Sequence, residues 1–301
     1  YKAFVCPCAA HTDRSGRECR AEMRNTMKKR LLFVYNPNAG KGKIKNQLAD
    51  ILGVFTGTDY EVIVYATRGP LDAKRIVMEY AKENACDRIV CSGGDGTMNE
   101  VASGLMECGK DIPIGYIPAG TTNDFGYSLK LSKNMVQAAW CAVNGTLFPC
   151  DIGCLNGSYF TYTAAFGIFS DVSYDTPQTA KNMLGRTAYI LGGIKRLYGV
   201  KRYRLRVRHD DVVIADEFIY GMIANSNSVG GFKGITGRDV QLDDGYFEMI
   251  LIRTPQNLLE LQEIVNALLT GQLNNAQIYS TRVNHVDIEA QEELPWSLDG
   301  E

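Results

Sequence analysis

The chain has 301 residues, is 45% hydrophobic and carries a formal net charge of −2 with both signs interspersed. That balance excludes a nucleic-acid-binding chain and a charged disordered tail, and the length suffices for one long domain or two ordinary ones. No apolar run approaches the roughly 20 residues of a membrane-spanning helix, and nine scattered cysteines with three isolated histidines argue against a disulfide framework or a zinc site and for a reducing, cytoplasmic setting.

Residues 1–26 show no apolar period and no signal-peptide core, and read as a disordered leader; Cys6, Cys8, Cys19 and His11 lack the spacing of a zinc knuckle. From Arg30 the pattern alternates. "RLLFVYNP" reads as a buried strand, "IKNQLADILGVF" as a helix, "YEVIVYAT" as a strand and "LDAKRIVMEYAKEN" as a helix. "DRIVCSGG", "TMNEVASGLMECG", "IPIGYIPAG" and "NMVQAAWCAVNG" continue the alternation to Gly145. Continuous apolar strands alternating with helices predict an α/β domain over 27–145, a doubly wound parallel sheet. Beyond it, over 146–301, strands dominate. "KRYRLRVRHDDVVIADEFIYGMIANS" reads as a hairpin turning at Asp210-Asp211, "TAKNMLGRTAYILGGIKRLY" and "PQNLLELQEIVNALLTG" as helices, and the whole as a mainly antiparallel β-sandwich domain.

Three loops fall at carboxyl ends of the parallel strands, where open α/β sheets bind ligands. They are "NPNAGKG" (36–42), "GGDGTMNE" (93–100) and "PAGTTNDF" (118–125), each just before a predicted helix. Neither a Walker loop nor a GxGxxG fingerprint fits: Pro37 stands where the Walker glycine belongs, and Ile44 where its Ser or Thr belongs. Glycine-rich strand-to-helix turns offer N–H groups to anions. A carboxylate at Asp95 would repel phosphate unless a divalent cation intervenes, and Mg²⁺ favours carboxylate plus phosphate oxygens. The loop therefore reads as a Mg-nucleotide site, with Asn99 and Glu100 completing its polar shell; the alternative is that Asp95 caps its own helix. Lys41 and Lys43 either offset phosphate charge or face solvent.

"NPNAGKG", "GGDGTMNE" and "PAGTTNDF", followed by "LDDGYFE" and "SLDGE", resemble the diacylglycerol kinase catalytic family, and in particular its soluble bacterial diacylglycerol kinases and YegS-like lipid kinases. The likeness runs from Lys28 to Glu301. It implies ATP bound between a nucleotide domain and a β-sandwich domain. By motif, Asn36, Pro37, Asn38, Ala39 and Gly40 would contact ATP phosphates, Thr67 would lie near the nucleotide, and Gly94, Asp95, Gly96, Thr97, Met98, Asn99, Glu100 and Thr121 would complete the site. It also implies Mg²⁺ at Gln241, Asp244 and Tyr246, the first and last through carbonyl oxygens, with Asp243 as fallback, and Glu301 as proton acceptor beside Asp95 in catalysis. The family pattern continues past DGE where this sequence ends, so the resemblance implies a chain that binds ATP but phosphorylates lipid poorly.

The reaction implied is transfer of the ATP γ-phosphoryl group to the hydroxyl of diacylglycerol or a related lipid alcohol. The alternatives are an NAD kinase-like enzyme and a nucleotide- or lipid-binding regulator without catalysis. The lipid would be met transiently at the inner face of the membrane. Arg202, Arg204, Arg206 and Arg208 alternate with Tyr203, Leu205 and Val207, so the arginines share one strand face that either meets anionic lipid or is simply solvated; Lys181, Arg186, Lys195 and Arg196 precede it. Oligomeric state, a homodimer included, stays open at this level.

Overall fold

The computed structural model describes residues 2–6, 28–168, 201–233, 236, 240–273 and 275–300. They form two compact units, Tyr1–Cys150 and Asp151–Glu301. The helix expected over 179–198 lies outside the described residues.

The first unit is built on a six-stranded sheet. Its strands are β1 (Lys2–Cys6), β2 (Lys29–Tyr35), β3 (Tyr60–Ala66), β4 (Arg88–Gly93), β5 (Ile114–Pro118) and β6 (Thr146–Cys150), in the order β3-β2-β4-β5-β1-β6. All neighbours run parallel except β6, which is antiparallel to β1. Five helices accompany it: α1 (Ile44–Thr56), α2 (Asp72–Lys82), α3 (Asp95–Cys108), the short α4 (Asp124–Ser128) and α5 (Met135–Asn144). Leu31, Phe33, Val90 and Ile117 on one sheet face pack with Ile44, Ile51 and Phe55 of α1 and with Met135, Ala138 and Ala142 of α5. β2, β4 and β5, buried on both faces, explain the unbroken apolar runs seen there in the sequence, whereas the edge strand β3 is only partly buried. α2 and α3 pack side by side and lie against β2 and β4.

Two boundaries differ from expectation. Residues 2–6, placed in a leader without structure, form a strand between β5 and β6. The units divide at Cys150/Asp151 rather than at 145/146, because the antiparallel ladder of β6 on β1 attaches 146–150 to the first sheet.

The second unit is a seven-stranded antiparallel sheet. Its strands are β9 (Thr163–Gly167), β10 (Tyr203–His209), β11 (Val212–Ala224), β14 (Phe247–Arg253), β15 (Ile278–Val283), β16 (Asp287–Ala290) and β17 (Ser297–Leu298). Small hairpins β7 (Gly153–Leu155) with β8 (Ser158–Phe160), and β12 (Ser228–Val229) with β13 (Phe232–Lys233), flank it. Phe160, Phe166, Tyr203, Leu205, Val207, Met249 and Leu251 form one core layer, joined by Leu155 and Trp296. Met222, Ile250 and Ile252 form the other, under Ile264 and Ala267 of α6 (Leu258–Thr270).

The β10–β11 hairpin turns at Asp210-Asp211 as its sequence predicts, and β10 alternates as expected: Tyr203, Leu205 and Val207 are buried, while Arg204 and Arg206 are exposed. The exposed row is partly ion-paired, however. Arg204 pairs with Glu217 at 2.8 Å and Arg208 with Glu289 at 2.5 Å. Two of its four arginines are thus paired with acids on the neighbouring strands β11 and β16, which favours the solvated-face reading over a membrane-docking one for those two.

Candidate active site

Hydrogen bonds at the carboxyl ends of β3, β2, β4 and β5 tie the loops together in strand order. Thr67 N–H donates to Tyr35 O at 2.9 Å, Asn36 N–H to Ser92 O at 2.8 Å, and Ala119 N–H to Gly93 O at 2.8 Å. The loops expected from sequence therefore emerge side by side. The Asn36 side chain folds back to accept from Asn38 N–H at 2.9 Å. Its amide also approaches Thr97 Oγ1 at 3.5 Å, linking the first loop to the second. Pro37 is half-buried, Asn38 and Gly40 are exposed and Ala39 is buried.

The glycines have a reason the sequence did not disclose. A Cβ on Gly40, whose φ is +56°, would lie 2.5 Å from Ala119 O. One on Gly93 would lie 2.5 Å from the Thr97 side chain, and one on Gly120 2.6 Å from Gly94 Cα. These glycines let three backbones pack against one another. Asn123, itself left-handed at φ 54°, grips the Gly120 peptide from both sides, accepting from its N–H at 2.7 Å and donating to its carbonyl at 2.9 Å. Gly120→Ala therefore destabilises the first unit by about 1–3 kcal/mol, the usual cost of forcing an extra carbon into a filled space. A thermal melt within a degree of wild type would show that the loops separate freely.

Asp95 opens α3 and is buried, with 8% of its surface exposed. Its carboxylate accepts from Asp124 N–H at 3.1 Å and Phe125 N–H at 3.3 Å. It thus caps α4, and the N-cap of α3 is Gly94, which has no side chain with which to cap that helix. Glu100, expected in the polar shell, turns instead to the N-terminus of α2, accepting from Leu71 N–H at 2.9 Å and Ala73 N–H at 3.0 Å. Asn99 accepts from Ser103 Oγ at 2.7 Å. Met98 is a core residue with no exposed surface, Thr97 is buried, Gly96 half-buried and Thr121 exposed. The structure thus gathers 36–40, Thr67, 93–97 and 118–124 at one end of the sheet, while Glu100 points its carboxylate to α2 and Met98 into the core.

In the second unit the turn between β13 and β14 is anchored by residues that carried no motif. Leu242 O accepts from Asp151 N–H at 2.7 Å and from the Asn225 amide at 3.1 Å, and Asp151 Oδ2 accepts from Gly245 N–H at 2.6 Å. Gly245 has φ +78°, which suits glycine. Asp243 is exposed, whereas Asp244 is turned inward, accepting from Tyr246 N–H at 3.0 Å and pairing with Arg282. Arg282 lies over the Tyr246 ring at 5.1 Å and faces Glu248 at 3.7 Å. Burial pushes the Glu248 carboxyl up to about 7, helped by the charge of Asp244 and opposed by Arg282. Glu248 Oε2 is buried without a hydrogen-bond partner.

Among the described residues no group of three or more His, Cys, Asp or Glu side chains is placed to hold a metal, so a cation here would depend on carbonyl oxygens as well. The donors are all oxygen, which suits a hard divalent ion, and the orphaned Glu248 oxygen beside Asp244 is of a kind that a cation would compensate. Gln241 and Tyr246 are exposed. Asp244→Ala removes the anionic centre of this set. If Asp244 holds a cation, millimolar Mg²⁺ is expected to raise the melting temperature of the wild type over an EDTA control, a stabilisation of about 2.7 kcal/mol at a hundredfold excess over Kd. In Asp244→Ala that difference vanishes, while Asp243→Ala retains it. An Asp244→Ala protein that still responds fully to Mg²⁺ would exclude Asp244 as a ligand.

Glu301 lies outside the described residues, but the turn before it is defined. Asp299 (φ 54°) and Gly300 (φ +87°) are both left-handed. The Asp299 carboxylate, 4% exposed, accepts from Thr161 N–H and Thr161 Oγ1 at 2.7 Å each, from Tyr162 N–H at 2.9 Å and from Thr163 N–H at 3.0 Å. Burial raises its pKa against the pull of those hydrogen bonds. Asp299 and Gly300 thus turn the chain, and segment 161–163 receives the turn.

Comparison with known proteins agrees with this architecture. Residues 30–155 match the diacylglycerol kinase catalytic domain, and residues 165–301 match the YegS C-terminal NAD kinase beta sandwich-like domain. The chain is 34% identical to a diacylglycerol kinase of Bacillus subtilis (strain 168) over 91% of its length and 90% of that protein. It is 33% identical to a diacylglycerol kinase of Staphylococcus carnosus (strain TM300), over 91% and 89%. A solved chain from Bacillus anthracis str. Sterne superposes with a TM-score of 0.75 at 25% identity, covering 92% of each chain. A diacylglycerol kinase structure from the same strain gives 0.70 at 22% identity, covering 92% of this chain and 91% of that one, a likeness of fold. The chain belongs to the diacylglycerol kinase family and is a lipid kinase.

Proposed function

We propose that this protein transfers the γ-phosphoryl group of ATP to the hydroxyl of diacylglycerol or a closely related lipid alcohol, with Mg²⁺ as the metal. The observation that carries the reading is the convergence of the three glycine-bearing loops and Thr67 at the carboxyl ends of β2, β3, β4 and β5. Backbone N–H groups at such strand-to-helix turns suit phosphate oxygens. Mg²⁺, when bound, would neutralise phosphate charge.

In this reading the residues of 36–40 and 94–97 orient the phosphates, and phosphoryl transfer proceeds mainly through positioning and charge neutralisation. Asp95 serves the metal or its waters while its capping of α4 fixes the 118–124 loop. Asp244, with carbonyl oxygens of Gln241 and Tyr246, would hold a second, structural cation. Glu301 would take the proton of the lipid hydroxyl as the new bond to phosphorus forms. No helix among the described residues is long and apolar enough to cross a membrane. We propose that the lipid substrate is met at a membrane surface.

The test is product identification. The protein is incubated with γ-labelled ATP, Mg²⁺ and, separately, diacylglycerol, a sphingoid base, phosphatidylglycerol, undecaprenol and NAD. Label is expected in the phosphomonoester of diacylglycerol, with NAD unlabelled. Labelled NADP, or a labelled product from another lipid in preference to diacylglycerol, would replace this substrate reading.

A further inference from the structure

We infer that Glu100 is a positioning residue for nucleotide binding: from α3 it clamps the N-terminus of α2 and so fixes the 67–71 loop, and with it Thr67, beside the first glycine-bearing loop. The inference rests on the proposed reading of this end of the sheet as the ATP site. Glu100 is in the second turn of α3, the helix that grows out of the second glycine loop. Its two carboxylate oxygens take separate tasks, Oε1 accepting from Leu71 N–H at 2.9 Å and Oε2 from Ala73 N–H at 3.0 Å. Both donors belong to the start of α2, where helix N–H groups lack partners within the helix and negative charge is favoured.

The grip has something to hold. Leu71 is the N-cap of α2 and sits at φ 63°, ψ 3°, a left-handed conformation that leucine adopts only at a cost. Its side chain is 65% exposed, so packing returns little for that cost, and leucine has no polar atom with which to cap the helix. Other bonds close the same loop. Arg68 N–H donates to Asp72 Oδ2 at 2.8 Å, Asp72 N–H donates to Gly69 O at 3.4 Å, and Thr67 N–H is on Tyr35 O. Of these only the Glu100 clamp reaches the loop from α3. It is therefore the direct mechanical connection between the second glycine loop's helix and the segment carrying Thr67.

The experiment measures Kd for a non-hydrolysable ATP analogue with Mg²⁺ by titration calorimetry. The same preparations give melting temperatures and, with lipid substrate, kcat. Wild type is compared with Glu100→Gln, Glu100→Ala, Thr67→Ala and the Thr67→Ala/Glu100→Ala double variant. Glu100→Ala weakens the analogue about tenfold, and the double variant is no weaker than the worse single one, as for residues that act as a unit. Glu100→Gln keeps an acceptor for one N–H and falls between wild type and Glu100→Ala. In each, kcat at saturating ATP falls by much less than Kd rises. Multiplicative losses in the double variant would mean that Glu100 touches the nucleotide itself and would overturn the inference. So would a lowered melting temperature in Glu100→Gln with Kd unchanged, which would leave Glu100 a helix cap only. If Thr67→Ala alone leaves Kd at the wild-type value, the assignment of this loop to the nucleotide site falls first, and the inference falls with it. If Thr67→Ala weakens binding and both Glu100 variants do not, the site reading stands and the inference alone is overturned.

Discussion

Asp95→Asn is expected to lower turnover at saturating ATP and Mg²⁺ by on the order of 10²–10³-fold, the range seen when one preorganised charge-stabilising group is removed from an active site. The substitution keeps size and shape but changes two things. It removes the negative charge that would manage the cation. It also replaces one carboxylate oxygen with an NH₂ group, and that donor would face either Asp124 N–H or Phe125 N–H, both of which now donate to Asp95. A buried donor left without an acceptor costs about 1–3 kcal/mol, so the melting temperature falls as well. The two effects separate by measuring kcat below the melting transition of the variant, where it remains folded. A turnover near wild type under those conditions would leave Asp95 as the cap of α4 and nothing more.

Asp299→Ala carries the largest expected loss of stability, about 3–5 kcal/mol. It strands the N–H groups of Thr161, Tyr162 and Thr163 and the Thr161 hydroxyl, all of which converge on this one buried carboxylate. Thr161→Val removes only the hydroxyl contact and should cost about 1 kcal/mol. The comparison is made by urea denaturation of the second unit, followed through the near-ultraviolet signal of Trp296, which packs on Phe166 at 4.9 Å between ring centroids. A loss below about 1 kcal/mol for Asp299→Ala would mean that water satisfies the 161–163 amides as well as the carboxylate does. In the proposed mechanism the same clamp would fix the turn that precedes Glu301, the proposed proton acceptor.

Much of this molecule was legible before its structure. The strand–helix alternation gave β2 through β5 and α1, α2, α3 and α5, because β2, β4 and β5 are buried apolar runs, the partly buried β3 is still rich in β-formers, and the helices carry an apolar stripe, signals held within a dozen residues. The three loops were recognisable because glycine next to hydroxyl and amide residues is a local signal too. What escaped were relations between distant residues. Asp95 reaches 29 and 30 positions along the chain to cap α4, and Glu100 reaches back 29 to Leu71. Asp299 is bonded 138 positions away at Thr161. No periodicity encodes such partners. Residue type alone suggested a shared polar shell for Asp95, Asn99 and Glu100, whereas the fold assigns their side chains to α4, Ser103 and α2. The arginine row was left between two readings: its alternation was read correctly, but the acids that pair with Arg204 and Arg208 come from β11 and β16, strands whose register only the sheet discloses.

The central claim is that the loops ending β2, β3, β4 and β5 hold the phosphates of ATP. Hydrogen–deuterium exchange of the intact protein, alone and with a non-hydrolysable ATP analogue plus Mg²⁺, tests it most directly. Slowed exchange is predicted for amides of 36–42, 67–71, 93–98 and 119–124, with β10 and β16 unchanged. Unchanged exchange in all four segments at a saturating analogue concentration, with protection elsewhere, would contradict the account.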